Sequence, residues 1–341
     1  MLKVLYAGSP ASSAKTLSLL LQAQHNSTQA SYEIVGVLSN PASAQGRHKT
    51  PIPTPVSKLA LENNIPLFTP ERLNEDARTQ INSLTPDILV CFAYGHIFGP
   101  KFLSLFKYGG INLHPSLLPK YRGPTPVNAA ILNEDAQTAV TVQTLSLKMD
   151  EGDILCQEII SLNGTETAGS LLEYSAEHGA RLLLSVLEYC AKNESLPTGT
   201  AQQGTASYTK IITKEDCKID WEQSASRIGA HIRAYSPEPC AWTYAGNDVI
   251  RILQAVPFTG TLSNEVNEQT QIGESQIGKV VDFQKKCGIL VQTGDGILCV
   301  TKLQRQGKNV MDATSFMNGA RNFIGTVLGK VDSSNSINQS N

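Results

Sequence analysis

The sequence predicts an α/β chain: a doubly wound, mostly parallel sheet followed by a smaller C-terminal β-barrel. Three observations predict it. Through the first half, short apolar runs alternate with stretches whose apolar residues fall at helical spacing, the pattern of strands joined by crossover helices. The 341 residues exceed what one hydrophobic core usually organises, so two domains are expected. Beyond Ile211 the texture changes to strand-like runs separated by glycine and polar turns, which is how a small β-barrel reads.

In chain order, "LKVLY" is a first strand that runs into a glycine turn, and Ser12 or Ser13 can cap the helix "AKTLSLLLQAQ". "EIVGVL" (Glu33 to Leu38) is the next strand. "PVSKLALENN" is a helix with proline tolerated in its first turn, and "DILVCFA" is another apolar strand. "INLH" follows, then a short helix in "TPVNAAILNED" and a β-branched strand in "AVTVQTL" (Ala139 to Leu145). The long stretch "GSLLEYSAEHGARLLLSVLEYC" has helical spacing and closes the domain. The polar "AKNESLPTGTAQQGTASYTK" reads as a linker. "VIRILQAV", "GKVVDF", "GILVQT" and "GILCVTKLQ" supply the second domain's strands. The expected boundaries are 1–193 for the first domain, 194–209 for the linker, 210–330 for the second domain and 331–341 for a loose polar tail.

Composition excludes several classes. With 41% apolar and 17% charged residues the chain is globular, and a net charge of −2 argues against whole-surface nucleic-acid binding while allowing a local basic patch. The 7 cysteines are scattered, with no CxxC and no Cys/His cluster, so neither a disulfide framework nor a zinc site is expected. No run is long enough to cross a membrane, and Gly8, Ser9 and Pro10 interrupt the segment that could pass for a signal peptide. With the fold starting at Met1, a bacterial cytosol is the expected location.

Asn112 and His114 stand two residues apart on a strand, so they share a face, and Pro115 ends the strand directly after them. Sites in doubly wound sheets lie just beyond the carboxyl ends of strands, which is where this pair falls. A pair that merely holds a turn fits equally well at this point. "KMDEGDIL", after the strand Ala139 to Leu145, would bring Asp150 or Asp153 to the same edge, although Asp-Glu-Gly-Asp is also turn chemistry. A carboxylate beside a histidine orients the imidazole and favours its proton, and a neutral amide stabilises a developing oxyanion. One histidine with a loop of carboxylates matches no metal-ligand spacing. The first loop, "YAGSPASS", lacks G-x-G-x-x-G, and neither a P-loop nor a G-x-S-x-G elbow is present.

"INLHPSLLPKYRG" followed by "MDEGDIL" resembles the signature of the formyltransferase fold, shared by enzymes that use 10-formyltetrahydrofolate. The resemblance implies a Rossmann-like formyltransferase domain followed by an OB-like one. It implies Asn112, His114 and Asp150 as the catalytic trio, and Ser116, Leu117, Leu118 and Pro119 as the turn that holds the folate. "FAYGHIF" resembles the family segment lining the same pocket, which implies Phe92, Tyr94 and Gly95. "IDWEQSASRIGAHIRAYSPEPCAWT" and "GDGILCVTKLQRQGKNVM" look like the C-terminal domain of the family's tRNA-acting branch. The loop "NPASAQGRHKTPIPTPV" resembles the insert by which that branch engages the acceptor end of initiator tRNA, implying Arg47, His48 and Lys49 as tRNA contacts. Physically that loop is a basic tip on a proline-stiffened stalk.

The implied activity is formyl transfer from 10-formyltetrahydrofolate to the α-amino group of methionine on initiator tRNA. It proceeds by direct attack through a tetrahedral intermediate, with no metal, no membrane and a monomeric enzyme. Two alternatives are an enzyme of the same fold acting on a nucleotide-linked amino sugar and a non-catalytic folate- or RNA-binding module. This chain departs from the family pattern at Pro124 and Thr125, and again in "AYGHIFGP", where Phe98, Gly99 and Pro100 replace the usual ending.

Overall fold

The computed structural model describes residues 1–27, 30–45, 50–261, 277–320 and 322–330, in two compact units. The first unit comprises residues 1–130, 136–162 and 170–211; the second takes 131–135, 163–169 and the chain from Ile212. The tail expected at 331–341 lies outside the described residues, as do Arg47, His48 and Lys49.

The first unit begins with β1 (Leu2–Gly8), α1 (Ala11–Asn26) and β2 (Tyr32–Leu38). A short antiparallel pair follows, β3 (Ser43–Gln45) with β4 (Thr50–Ile52), then α2 (Pro55–Glu62), β5 (Leu67–Phe68) and α3 (Glu75–Asn82). α1 starts after Pro10 without a side-chain cap, and Ser12 and Ser13, expected to cap it, lie within its first turn instead; the next two helices are capped. Thr54 caps α2 by accepting from the Ser57 N–H, and Asn74 caps α3 by accepting from the Ala77 N–H. α1 buries Ser13, Thr16, Leu17, Leu20 and Leu21, one face of a helix. β6 (Ile88–Phe92), α4 (Pro100–Leu103), β7 (Gly110–His114), α5 (Pro126–Leu132), β8 (Gln137–Thr144), β9 (Ile154–Ser161) and α6 (Ala168–Asn193) complete the series.

The sheet order is β5-β2-β1-β6-β7-β8-β9. β5 to β7 pair in parallel, and β8 and β9 are antiparallel additions. The chain winds outward from β1 to β5, then returns to the other side of β1 as β6, so the strand order reverses between β1 and β6. Every residue of β6 is buried, as a central parallel strand requires. Below it, Tyr94, Phe98, Phe102 and Phe106 form a ladder of rings with successive centroids 5.3, 5.2 and 5.5 Å apart.

The second unit contains α7 (Ala225–Ala234) and the strands β10 (Ala241–Ala245), β11 (Asp248–Pro257), β12 (Val280–Gln284), β13 (Gly288–Gln292), β14 (Ile297–Arg305) and β15 (Met311–Asp312), ending in α8 (Ala313–Asn318). The strands form an antiparallel path β10-β11-β14-β13-β12, with β15 on β14. Its two edges are bridged by one segment, since Leu328 pairs with Ala245 at the end of β10 and Val327 pairs with Lys279 just before β12. The core is aliphatic and aromatic, with Trp221, Ile228, Ile252, Leu298 and Phe316 among its members. Cys287 and Cys299 are in disulfide contact here, where the sequence leads one to expect no disulfide framework; the other cysteines are free. Cys287 lies in the turn between β12 and β13, and Cys299 stands on β14, the strand paired with β13 on its other side.

Residues 194–209 are not a free linker in the structure. They fall within the first unit, and their backbone pairs with two parts of it. Thr200 exchanges hydrogen bonds with Ile154, and Arg122 does so with the backbone of Ser207 and Thr209. No described helix is long and apolar enough to cross a membrane.

Candidate active site

β7 presents Asn112 and His114 at its carboxyl end, opposite Gln143 and Thr141 of β8 in the antiparallel register. The strand period therefore aligns four polar side chains in one patch. Asp150 enters from the turn after β8, with φ +53, a left-handed conformation that a short polar side chain tolerates. The turn closes tightly because Gly152 lies against the backbone of Thr144, where a Cβ would collide with the carbonyl. Thr144 and Asp153 pair there through both backbone and side chain.

The Asp150 carboxylate collects donors from every side. Oδ1 accepts from Gln143 Nε2 at 3.0 Å and Asn112 Nδ2 at 3.3 Å, and His114 Nδ1 stands 3.5 Å from it. Oδ2 accepts from the Gly123 backbone N–H at 2.7 Å. That approach needs φ +106 at Gly123, whose missing Cβ also leaves room for the Thr209 backbone. The 3.5 Å contact is longer than an ordinary hydrogen bond, so Gln143 and Gly123 hold the carboxylate more tightly than the histidine does.

His114 is buried, and its other nitrogen, Nε2, lies 2.9 Å from the Tyr121 carbonyl. A carbonyl can only accept, so Nε2 carries the proton and Nδ1 is the atom that gains or loses one against Asp150. Both ring nitrogens thus meet protein groups. Asn112 is placed differently: one N–H of its amide serves Asp150, and the second is not used by that carboxylate.

The expected folate turn is tightly built. Ser116 is fully buried, and its hydroxyl donates to the Lys120 carbonyl at 2.7 Å. Its own carbonyl accepts from Thr141 Oγ1 at 2.7 Å, Leu118 is buried, and Leu117 and Pro119 are partly exposed. Phe92 and Tyr94 face the core, not the surface; burial pushes the Tyr94 hydroxyl up to about 12. Ala93, Gly95, His96 and Ile97 are the exposed part of that segment. The Tyr94 carbonyl accepts from Asn40 Nδ2 at 3.0 Å, which ties the loop after β2 to the loop after β6.

Sequence reasoning missed Gln143, Gln202 and Tyr208. The signal for Gln143 was available: in "AVTVQTL" the polar residues Thr141 and Gln143 share one parity, the face that pairs with Asn112 and His114. Gln202 carried no such signal. A surface cavity beside β5 and α3, lined by Phe68, Arg72, Asn74 and Gln80, includes none of the site residues. Among the described residues no group of His, Cys, Asp and Glu is arranged to hold a metal.

An amide, an imidazole and a carboxylate gather at the strand ends of a doubly wound sheet, groups whose chemistry suits attack on an activated carbonyl carbon. Comparison with known proteins makes that chemistry specific. Residues 3–187 match the formyl transferase family and residues 211–321 match the formyl transferase C-terminal domain. The chain belongs to the formyl transferase family. It is 38% identical over 331 residues to a methionyl-tRNA formyltransferase of Treponema denticola, a match covering 95% of this chain and 98% of that one. A methionyl-tRNA formyltransferase structure from Clostridium thermocellum shares the fold at a TM-score of 0.55 and 15% identity, over 76% of this chain and 96% of that one. HypX from Aquifex aeolicus, solved with tetrahydrofolic acid, shares it at a TM-score of 0.61 and 14% identity, over 94% of this chain and 48% of that longer one.

Proposed function

We propose that the chain transfers the formyl group of 10-formyltetrahydrofolate to the α-amino group of methionine esterified to initiator tRNA. The observation that carries this reading is the convergence of Asn112, His114 and Gln143 on Asp150. End-to-end likeness to a protein named for that substrate supports the acceptor. The donor supplies an activated formyl carbon. Exposed apolar side chains on the loops leaving β6 and β8, namely Ile97, Leu147 and Met149, fit a flat, largely uncharged ring system beside the trio.

The chain's own groups divide the work. The unused N–H of Asn112 donates to the formyl oxygen as it becomes an oxyanion. Asp150 lies between the two other members, so it relays the proton lost by the attacking amine to His114 Nδ1, and the same proton returns to the departing nitrogen. The Tyr121 carbonyl keeps the imidazole in the tautomer that leaves Nδ1 free for that exchange. The expected tRNA contacts Arg47, His48 and Lys49 are part of the proposal.

One assay tests the reading. Purified protein is given 10-formyltetrahydrofolate with initiator methionyl-tRNA, uncharged tRNA or glycinamide ribonucleotide, and formylated product is measured. Only the first acceptor is expected to react; no product from it, or product from another, overturns the reading.

A further inference from the structure

Gln202 lies in the segment that reads as a linker in the sequence, yet its side chain is fully engaged beneath the Asp150 turn. Nε2 donates to the Asp150 carbonyl at 2.8 Å, the Gly152 carbonyl at 2.9 Å and Gln143 Oε1 at 3.1 Å. Oε1 accepts from Arg122 Nη2 at 2.8 Å and Arg122 Nε at 3.1 Å. Arg122 is itself fixed, because Nη1 meets the Tyr208 hydroxyl at 2.8 Å and Glu151 Oε1 at 3.1 Å.

This geometry leaves no freedom in which end of each amide is which. A guanidinium has only donors, so the oxygen of Gln202 must face Arg122 and its NH2 must face the carbonyls. That NH2 requires the oxygen of Gln143 to turn toward it, which turns Gln143 Nε2 toward Asp150 Oδ1. Polarity thus runs in one direction from Arg122 through two amides to the carboxylate. Were the first amide reversed, Gln143 would present its oxygen to Asp150 and repel it.

We propose that Gln202 is a positioning residue for the Asp150 carboxylate, acting through the orientation of the buried Gln143 amide. The inference rests on the reading that Asp150 serves formyl transfer. It gives the segment 200–209 a place in the site, and it explains why Arg122 is part of the network: it sets the polarity of the chain.

Gln202→Met removes the polar ends at nearly constant size. Turnover is expected to fall on the order of a hundredfold, as for a displacement of about 1 Å at a reacting group. KM for the folate should stay within about threefold, and the pH dependence of kcat should shift. Gln143→Met should do the same, and the double variant should be no worse than either single one, because both act on one carboxylate. A role confined to pinning the loop would lower stability and raise KM, and its losses would add to those of Gln143→Met. Additive losses, or wild-type turnover and pH profile in Gln202→Met, overturn the inference. Gln202→Glu, which keeps an acceptor for Arg122 but offers no N–H to Gln143, serves if Gln202→Met fails to fold. If the wild-type protein formylates no acceptor, the reading of function fails separately. The positioning is then read from the His114 imidazole nitrogen resonances, whose titration midpoint should move in Gln202→Met; an unmoved midpoint overturns it.

Discussion

Buried polar side chains are distributed unequally between the two units. In the first, Ser9, Ser39, His114, Ser116, Thr141 and Gln143 lie at or beyond the carboxyl ends of β1, β2, β7 and β8's partner positions. In the second, the buried Thr243 accepts from Trp221 Nε1, while Gln292 and Thr293 close a turn onto the Gly296 carbonyl. Burying a polar group is costly unless it is bonded, so each needs a reason. In the second unit the reason is local, seating one ring and holding one turn. In the first, His114 and Gln143 converge on one carboxylate, which no single turn demands, while Ser9, Ser39, Ser116 and Thr141 bond to one another or to nearby loop groups around it. The difference teaches that the buried polar groups of the second unit each serve local packing, whereas the first unit also buries a pair, His114 and Gln143, that meets on a shared carboxylate.

Substitutions sharpen that contrast. His114→Ala should lower turnover by roughly 10²–10⁴-fold, because it removes the proton acceptor at Nδ1. Steady-state kinetics on folded protein checks it, and near-full turnover would return His114 to the role of a turn holder. The chain has 2 tryptophans, Trp221 and Trp242, both in the second unit, so tryptophan fluorescence follows that unit alone. The urea transition it reports should not move in His114→Ala.

Trp221→Ala should move it a great deal. The ring is buried in the apolar core and bonded to Thr243, and truncating such a residue costs about 3–5 kcal/mol. Trp242 remains as the probe. An unchanged urea midpoint would show that the second unit is not held together by its core in the way described.

Asn112→Ala should come next, losing roughly 10²–10³-fold in turnover as an oxyanion donor does. Its folate affinity should stay near wild type, since the loss falls in the transition state; titration of folate binding by fluorescence checks this. A parallel loss of affinity would make Asn112 a ground-state contact.

These expectations also show what could be read before the fold was known. Asn112 and His114 were legible because strand period and a terminating proline place them without knowledge of long-range contacts, whereas the residues alone left Asp150 and Asp153 open and only the family resemblance chose Asp150. α7 was not read, although Ser224 caps it, because Gly229 and the mixed sequence "ASRIGAHIRA" blur its helical pattern. β9 was missed because it lies at the sheet edge with most residues half-buried on both faces, so no alternation appears. Gln202 was illegible for a deeper reason. Its surroundings of Gln, Gly, Thr and Ser are those of any polar linker, and its meaning comes from a carbonyl 52 residues away. A motif records groups that must have one chemistry; a supporting amide records only a place.

The smallest effect concerns pH, and it separates the units once more. His231 of α7 is half-buried against Tyr235, with ring centroids 4.8 Å apart, and among the described residues its buried Nε2 has no hydrogen-bond partner. Burial lowers its affinity for a proton; the Cys217 backbone and Asp220 oppose that shift without cancelling it. The unfolded chain titrates near the ordinary histidine value, about 6.5. Below that pH the unfolded state binds a proton that the folded state resists, so stability is full above it and is lost as pH falls through the depressed folded value. The second unit should therefore hold its urea stability above about pH 6.5 and lose it as pH falls below that value, as followed by tryptophan fluorescence. His231→Phe keeps the ring contact and removes the titration, so its transition should be weaker at high pH but flatter across the range. Parallel losses in both proteins would mean that the slope arises elsewhere and that the half-buried imidazole is neutral to the unit's stability.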